Sequence, residues 1–571
     1  MRLRTAAATT LAVLLGLAPA ARAGDPIMPL AQVKPGMKCK AYTVVRGYDI
    51  TSFDAEVVDV IDNRPYAPSI LVRVSGPAVD DGGIAAGFSG SPVYCKDDQG
   101  TDRVAGAIAA VVGDFGNKLG VATGIEEILG EAADPPGSRA RAYPPLVRGR
   151  RTHDAAGPLT VAGLSSPLQR AIARTTTTRG ARRVFTSPTL SAAQAPSAPP
   201  LRPGSSVSAG LSSGDLWIGG VGTVAYTDGD AAWLFGHPFE AVGRRSLLLQ
   251  DAYVYTVVPN PNPEFGGYKL ATPTRDIGRI TNDALAAVVG RTGALPPTTE
   301  VVVNAHDRNR GQTERTDLSV ADESQVDLPA GVSPLSFVGP LAVADASVRV
   351  LRSIPARQTG SACHRIDLAG QSEPLRFCNR YVATLGGGVG GSIADDLAQA
   401  IALVDEVDFA PLAIDRVETA LDVERGARQT YMLGASLPRR VRRGSTIAIS
   451  IRARLVRGPV RRFSFRLRVP RSLPRGSQEL RLGGTDTDEG GELGGALEDI
   501  IVLDGGDESP AEGEGPIRTL DELRARVASL GRYDGIRARF AEDEEERTYR
   551  VFRDPGVRIG GRLTLRVRVV G

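Results

Sequence analysis

A chain of 571 residues is too long for one hydrophobic core and predicts about three or four domains. Its 68 Lys and Arg face 65 Asp and Glu, a formal net charge of +3 with both signs interspersed, which excludes a nucleic-acid footprint. Only 5% of residues are aromatic while Gly (66) and Pro (39) are plentiful, so many short strands joined by turns are expected, a mainly β protein.

Residues 1–23 read as a secretory signal peptide: Arg2 and Arg4 form the charged start, Leu11 to Leu17 the apolar run, and Ala21-Arg22-Ala23 the cleavage site. The run is too short to span a bilayer and no cysteine follows it for lipid attachment. No later stretch reaches the roughly 18 apolar residues of a spanning helix. The expectation is an exported protein, periplasmic or extracellular, that does not span a membrane.

Residues 24–136 predict a compact β unit, with strands over Lys40 to Val45, Phe53 to Ile61, Ile70 to Val74 and Val104 to Val112 and a short helix over Ile125 to Ala132. Between the third and fourth strands stands Gly87-Phe88-Ser89-Gly90-Ser91-Pro92. Glycines beside a serine let the backbone turn tightly enough to aim two amides at one point, so Ser89 is the candidate nucleophile and the amides of Gly87 and Ser89 the candidate oxyanion hole. The competing reading is a Gly/Ser-rich hairpin without chemistry.

Residues 137–203, rich in Arg, Ala, Pro and Thr, read as a linker with one short helix near Leu168 to Ala173. A second β unit spans 204–310. In it Thr227-Asp228-Gly229-Asp230 is a hairpin turn, followed by Ala231-Ala232-Trp233-Leu234-Phe235-Gly236-His237-Pro238-Phe239. Of the four histidines, His153 lies in the linker, His306 reads as a polar strand end and His364 adjoins a cysteine. His237, held between a glycine and a proline just past a buried strand, is the candidate general base.

Residues 311–426 read as an α+β region. Its Gly386 to Gly391 run satisfies G-x-G-x-x-G, but without a βαβ unit and its placed acid the run predicts no dinucleotide site, only a helix over Ile393 to Val404 capped by Ser392. Residues 427–571 predict a C-terminal β-sandwich-like domain, from the alternation of Ile447, Ile449 and Ile451 and of Phe463, Phe465 and Leu467. In this domain Thr519 and Glu522 mark a capping box. Cys363 and Cys378 are spaced to bridge a hairpin, and Cys39 and Cys95 share the first unit, so two structural disulfides are expected. No C-x-x-C spacing occurs, and neither a metal nor an organic cofactor is expected.

Two stretches together resemble the SpoIVB peptidase family of serine peptidases. The first joins Pro35-Gly36-Met37-Lys38, Ile70-Leu71-Val72-Arg73-Val74, the Gly87 to Pro92 motif and Gly124-Ile125-Glu126; the second joins Pro203-Gly204-Ser205-Ser206-Val207, Gly222-Thr223-Val224 and Phe235-Gly236-His237-Pro238-Phe239. The resemblance implies Ser89 as nucleophile and His237 as base, on two chymotrypsin-like β units, the serine unit first and the histidine unit second. It implies an endopeptidase whose substrate is a peptide bond in another exported protein or in its own linker. The order of the two segments is reversed relative to the sporulation peptidases. Where the family carries its acid this chain reads Val74-Ser75-Gly76, so Asp80 and Asp81 are the nearest substitutes, with Asp228 and Asp230 as further carboxylates in the histidine unit. Related sequences tend to have glycine and an apolar residue where Cys39 and Cys95 stand, so their joint appearance favours a bridge between them. Without the acid, the alternative is an inactive peptidase-fold scaffold or binding protein of the cell envelope.

Overall fold

The computed structural model describes residues 24–61, 68–112, 116–135, 158–175, 184–190, 196–259, 267–326, 333–384, 387–407, 409–488, 515–541 and 547–571. The signal-peptide reading, His153 and Gly386 fall outside them.

The first unit is a closed barrel of β1 (Lys38–Arg46), β2 (Asp49–Ile61), β3 (Ser69–Ser75), β4 (Pro92–Lys96), β5 (Asp102–Val111) and β6 (Leu119–Gly124), in the order β1-β2-β3-β6-β5-β4. Apolar residues alternate inward along each strand, as Ile70, Val72 and Val74 do on β3, because successive side chains of a strand point to opposite faces. The barrel is filled by Phe53, Phe88 and their aliphatic neighbours, and burying each such ring contributes roughly 1.5–3 kcal/mol. Cys39 and Cys95 lie opposite each other on β1 and β4 and are disulfide-bonded, which closes the barrel seam covalently. Helix α1 (Ile125–Gly130) follows β6 directly.

The second unit follows two short strands, β7 (Leu159–Ala162) and β8 (Val184–Ser187), and helix α2 (Ser166–Thr175). These three elements come from the stretch read as a linker, and Leu159, Val161, Leu168 and Ile172 join the largest core. Next come β9 (Ser206–Gly214), β10 (Trp217–Asp228), β11 (Ala231–Leu234), β12 (Gly243–Val258), β13 (Tyr268–Asp283) and β14 (Val288–Thr292). Their antiparallel pairings run β9-β12-β13-β14-β11-β10 and return from β10 to β9, a second ring of six strands. The hairpin turn at Asp228-Gly229-Asp230 is present, with Gly229 at φ +58°.

The ring is complete at Thr292, but the sheet it belongs to runs on past residue 310. Strands β15 (Thr298–Asp307) and β16 (Gln312–Ala321) form one hairpin across that point, and β16 pairs with β9. Beyond them β17 (Gln358–Leu368), β18 (Leu375–Ala383) and β19 (Ile414–Arg425) continue the sheet to thirteen strands. Cys363 and Cys378 face each other on β17 and β18 and are bonded. Helices α3 (Pro334–Leu351) and α4 (Gly390–Asp405) cover this extension. Ser392 falls inside the first turn of α4 instead of capping it, because the glycine run is already helical from Gly390. Helix α3 is the one described helix long and apolar enough to cross a bilayer, and 89% of that span is buried in the protein.

The C-terminal residues form a four-stranded and a five-stranded sheet whose facing residues, among them Ile449, Ile451, Leu480, Phe540 and Val567, share one core. This is the expected sandwich.

Candidate active site

The long β12/β13 hairpin leans on the first barrel and brings the two barrels together along a seam. Gly47 and Val254 exchange backbone hydrogen bonds across it, at 2.7 and 3.1 Å. Ser89 lies on the loop between β3 and β4, partly exposed, with Phe88 beside it buried in the first barrel.

The conformation of this loop follows from where its carbonyls go. Ala86 O accepts from Lys269 N at 2.9 Å, Gly87 O from Thr223 Oγ1 at 2.8 Å, and Phe88 O from Ser91 N at 2.9 Å and Ser91 Oγ at 2.6 Å. In a trans peptide the C=O and the following N–H point in opposite directions. Fixing Ala86 O therefore turns Gly87 N–H away from β13, and fixing Phe88 O turns Ser89 N–H away from Ser91. Within the described residues no hydrogen bond engages Gly87 N–H or Ser89 N–H, whereas Phe88, Gly90 and Ser91 all donate theirs. An oxyanion hole needs free donors, and these two orphan amides on one tight loop supply them. Gly87 and Gly90, at φ +93° and +91°, make the turn possible; a Cβ on Gly90 would lie 2.0 Å from Thr223 O.

Thr223 ties the loop to the second barrel. Its N–H donates to Ser89 O at 2.8 Å and its hydroxyl receives Lys269 Nζ at 3.0 Å. Lys269 is 2% exposed and burial lowers its pKa to about 7. Between pH 7 and 10.5 the unfolded chain binds the proton that the folded chain has released, so stability rises with pH across that window. Lys269→Met is expected to flatten this dependence: in urea unfolding at pH 6.5 and pH 9, wild type gains stability at the higher pH through this residue and the variant does not.

His237 stands across the seam. Leu234 O accepts from Gly236 N at 2.8 Å over a central Phe235 at φ +70°, a three-residue turn of the uncommon positive-φ form. Gly236, at φ +69°, turns the chain again, and its carbonyl accepts from Thr123 Oγ1 of β6 at 2.6 Å. Phe235 packs beside the serine loop: a Cβ on Gly90 would approach Phe235 N to 2.6 Å. The His237 ring places Nδ1 2.6 Å from Pro238 O. A carbonyl only accepts, so Nδ1 carries the proton and Nε2 keeps its lone pair, the tautomer of a general base. Burial lowers the pKa of His237, opposed by that hydrogen bond.

Asp80 accepts from Gly76 N at 3.0 Å and pairs with Lys118, and Asp81 is exposed; no hydrogen bond or ion pair among the described residues joins either to His237. Asp230 pairs with Arg291 at 2.6 Å and Asp228 is exposed. The two segments meet through Thr223, which donates its N–H to Ser89 O and whose carbonyl accepts from Phe235 N at 3.1 Å, and no hydrogen bond joins the Ser89 and His237 side chains. Catalytic hydrogen bonds often tighten only when substrate binds.

The sequence reading missed Lys269 and Asp283. Asp283, 1% exposed at the end of β13, accepts from Phe239 N and Glu240 N, both at 2.7 Å, and so fixes the segment that carries His237. Nearby Arg245 is fully buried between Glu240 and Glu323. No local signal marked Asp283: it closes the polar run Thr281-Asn282-Asp283, which reads as an ordinary strand end. The other two described histidines serve structure: His306 pairs with Asp422 at 2.8 Å, and buried His364 meets Thr419 Oγ1 at 2.9 Å. Among the described residues no cluster of His, Cys, Asp and Glu could hold a metal ion. Set against known proteins, the chain matches no family model, no curated protein and no solved structure.

Proposed function

We propose that the protein is an exported serine endopeptidase of the SpoIVB type, cleaving a peptide bond in another envelope protein or in its own chain between residues 137 and 203. The observation that carries this reading is the pair of unengaged amides, Gly87 and Ser89 N–H, held by pinned carbonyls beside a partly exposed serine. Ser89 Oγ attacks the substrate carbonyl, His237 Nε2 takes its proton and passes it to the leaving amine, and the two amides hold the oxyanion. Water then repeats the sequence on the acyl-enzyme with His237 as base. The two barrels supply one half of the machinery each, in the chymotrypsin-like manner. Two disulfides suit a chain that folds in an oxidising compartment.

A second reading, an inactive peptidase-fold scaffold of the envelope, is favoured by one observation: His237 Nδ1 meets a carbonyl instead of a carboxylate. The readings separate in one experiment, labelling of the purified chain from Gly24 with a serine-reactive fluorophosphonate. The peptidase labels, and Ser89→Ala and His237→Ala do not. Equal behaviour of all three proteins, with the wild-type chain staying intact, leaves the scaffold.

A further inference from the structure

The second barrel answers the question of the missing acid. Asp283 Oδ1 accepts from Phe239 N at 2.7 Å, and on the far side of the same peptide Pro238 O accepts from His237 Nδ1 at 2.6 Å. We propose that Asp283 does the work of the triad acid at one remove, orienting His237 and stabilising its imidazolium through the Pro238-Phe239 peptide. This rests on the serine peptidase reading above.

A triad acid fixes the tautomer and orientation of the imidazole and favours its cation, without itself taking the proton. Here a carbonyl fixes the tautomer, and the peptide that owns the carbonyl is fixed by Asp283. An ionised carboxylate on the N–H side also polarises the peptide, since hydrogen bonds in series strengthen one another, and so makes Pro238 O a better acceptor for the imidazolium. Two other features support the assignment. Asp283 Oδ2 also accepts from Glu240 N at 2.7 Å, so the carboxylate receives two consecutive amides, one on each oxygen. The charged groups facing it are Arg245, which favours its ionised form, and Glu240, which opposes it; Glu323 faces Arg245 from the other side. Burial raises the Asp283 pKa to about 6, so the carboxylate is ionised at neutral pH and lost on mild acidification.

Asp283 is a positioning residue, and its test needs a signal that a merely structural group would leave alone. The measurement is the pH titration of the His237 ring by histidine nitrogen NMR on the full chain from Gly24, with the ring assigned by comparison with His237→Ala. Asp283→Asn is expected to lower the His237 pKa by roughly one unit, the size of a charge at several ångströms in a partly screened interior, while Asp283→Glu restores it. Glu240→Gln, which removes a nearby charge but leaves the bridging peptide alone, is expected to shift it less. The fluorophosphonate labelling rate at pH 7 should fall about 10- to 100-fold in Asp283→Asn, as expected when a base loses its orienting partner. An unchanged His237 pKa in a folded Asp283→Asn protein overturns the proposal, as does an equal shift from Glu240→Gln.

If Asp283→Asn does not fold, wild type alone decides. The Phe239 amide and the His237 Nδ1–H resonances should move together as Asp283 titrates near pH 6. Movement of the amide without the imidazole overturns the proposal. Because the NMR titration needs no turnover, a coupled His237 in a protein that never labels sinks the peptidase reading and leaves the coupling standing.

Discussion

Glu323→Ala is expected to destabilise the protein by about 3–5 kcal/mol, the cost of leaving a buried charge without its partner. Arg245 and Glu323 are both fully buried side chains joined by two hydrogen bonds, Nε to Oε1 at 2.9 Å and Nη2 to Oε2 at 2.8 Å, and Glu323 Oε1 also accepts from Ser246 N at 2.7 Å. Removing the carboxylate leaves a guanidinium and an amide in a region water does not reach. Such a guanidinium cannot escape by losing its proton, so the penalty stays in the fold. Glu240 remains on the far side of Arg245 and limits the loss. The double substitution Arg245→Met/Glu323→Leu, which removes both charges, is expected to recover most of the stability. Urea unfolding of the three proteins is the measurement. A loss below about 1 kcal/mol for the single variant is the size of an exposed pair and would mean that solvent reaches Arg245.

The second large effect falls on rate. Gly87→Ala is expected to slow fluorophosphonate labelling by about 10²- to 10³-fold, the usual consequence of losing one oxyanion donor. Gly87 sits at φ +93°, and a Cβ there would come within 3.0 Å of Lys269 Cδ and 3.1 Å of Cγ. The side chain of Lys269 is itself held through Thr223, so it has little room to yield. The loop must move, and with it the Gly87 amide. Gly100→Ala is the control: φ is +81°, but nothing lies within 4 Å of the added carbon. It carries the backbone strain without the displacement and should label at the wild-type rate. A Gly87→Ala protein that labels within threefold of wild type would remove the Gly87 amide from the mechanism.

Much of the architecture was legible because it is written in short-range pattern. Short-range pattern marked four of the six strands of the first barrel, β1, β2, β3 and β5, but not β4 or β6; Asp228-Gly229 marked the β10/β11 turn, and Thr519 does accept from Glu522 N at 3.2 Å ahead of the helix Leu520–Ser529. The cysteines were legible as pairs because each pair falls on neighbouring strands. What escaped was long-range. The pairing of β16 with β9 joins residues about a hundred positions apart, and nothing local announces that the sheet runs on past residue 310. Helix α3 is apolar on all sides and contains Pro340, so it shows no amphipathic period. At the site, the glycines around Ser89 and the position of His237 were readable, because tight turns demand particular residues. Asp283 and Lys269 were not, since their roles exist only after β13 has been laid between the serine loop and the histidine segment.

The division of the site between two barrels also sets a clock. A chain made from its N-terminus completes β6, and with it the first barrel, at Gly124. Only one of the two amides is aimed at that stage: Ser91 holds Phe88 O and so turns the Ser89 amide, but Ala86 O, which turns the Gly87 amide, waits for Lys269 N. The second ring closes only when β14 is laid down, at Thr292. For well over half the time it takes to make these two units Ser89, the proposed nucleophile, is present without the second ring that completes the site, and a chain interrupted in that interval carries no assembled site.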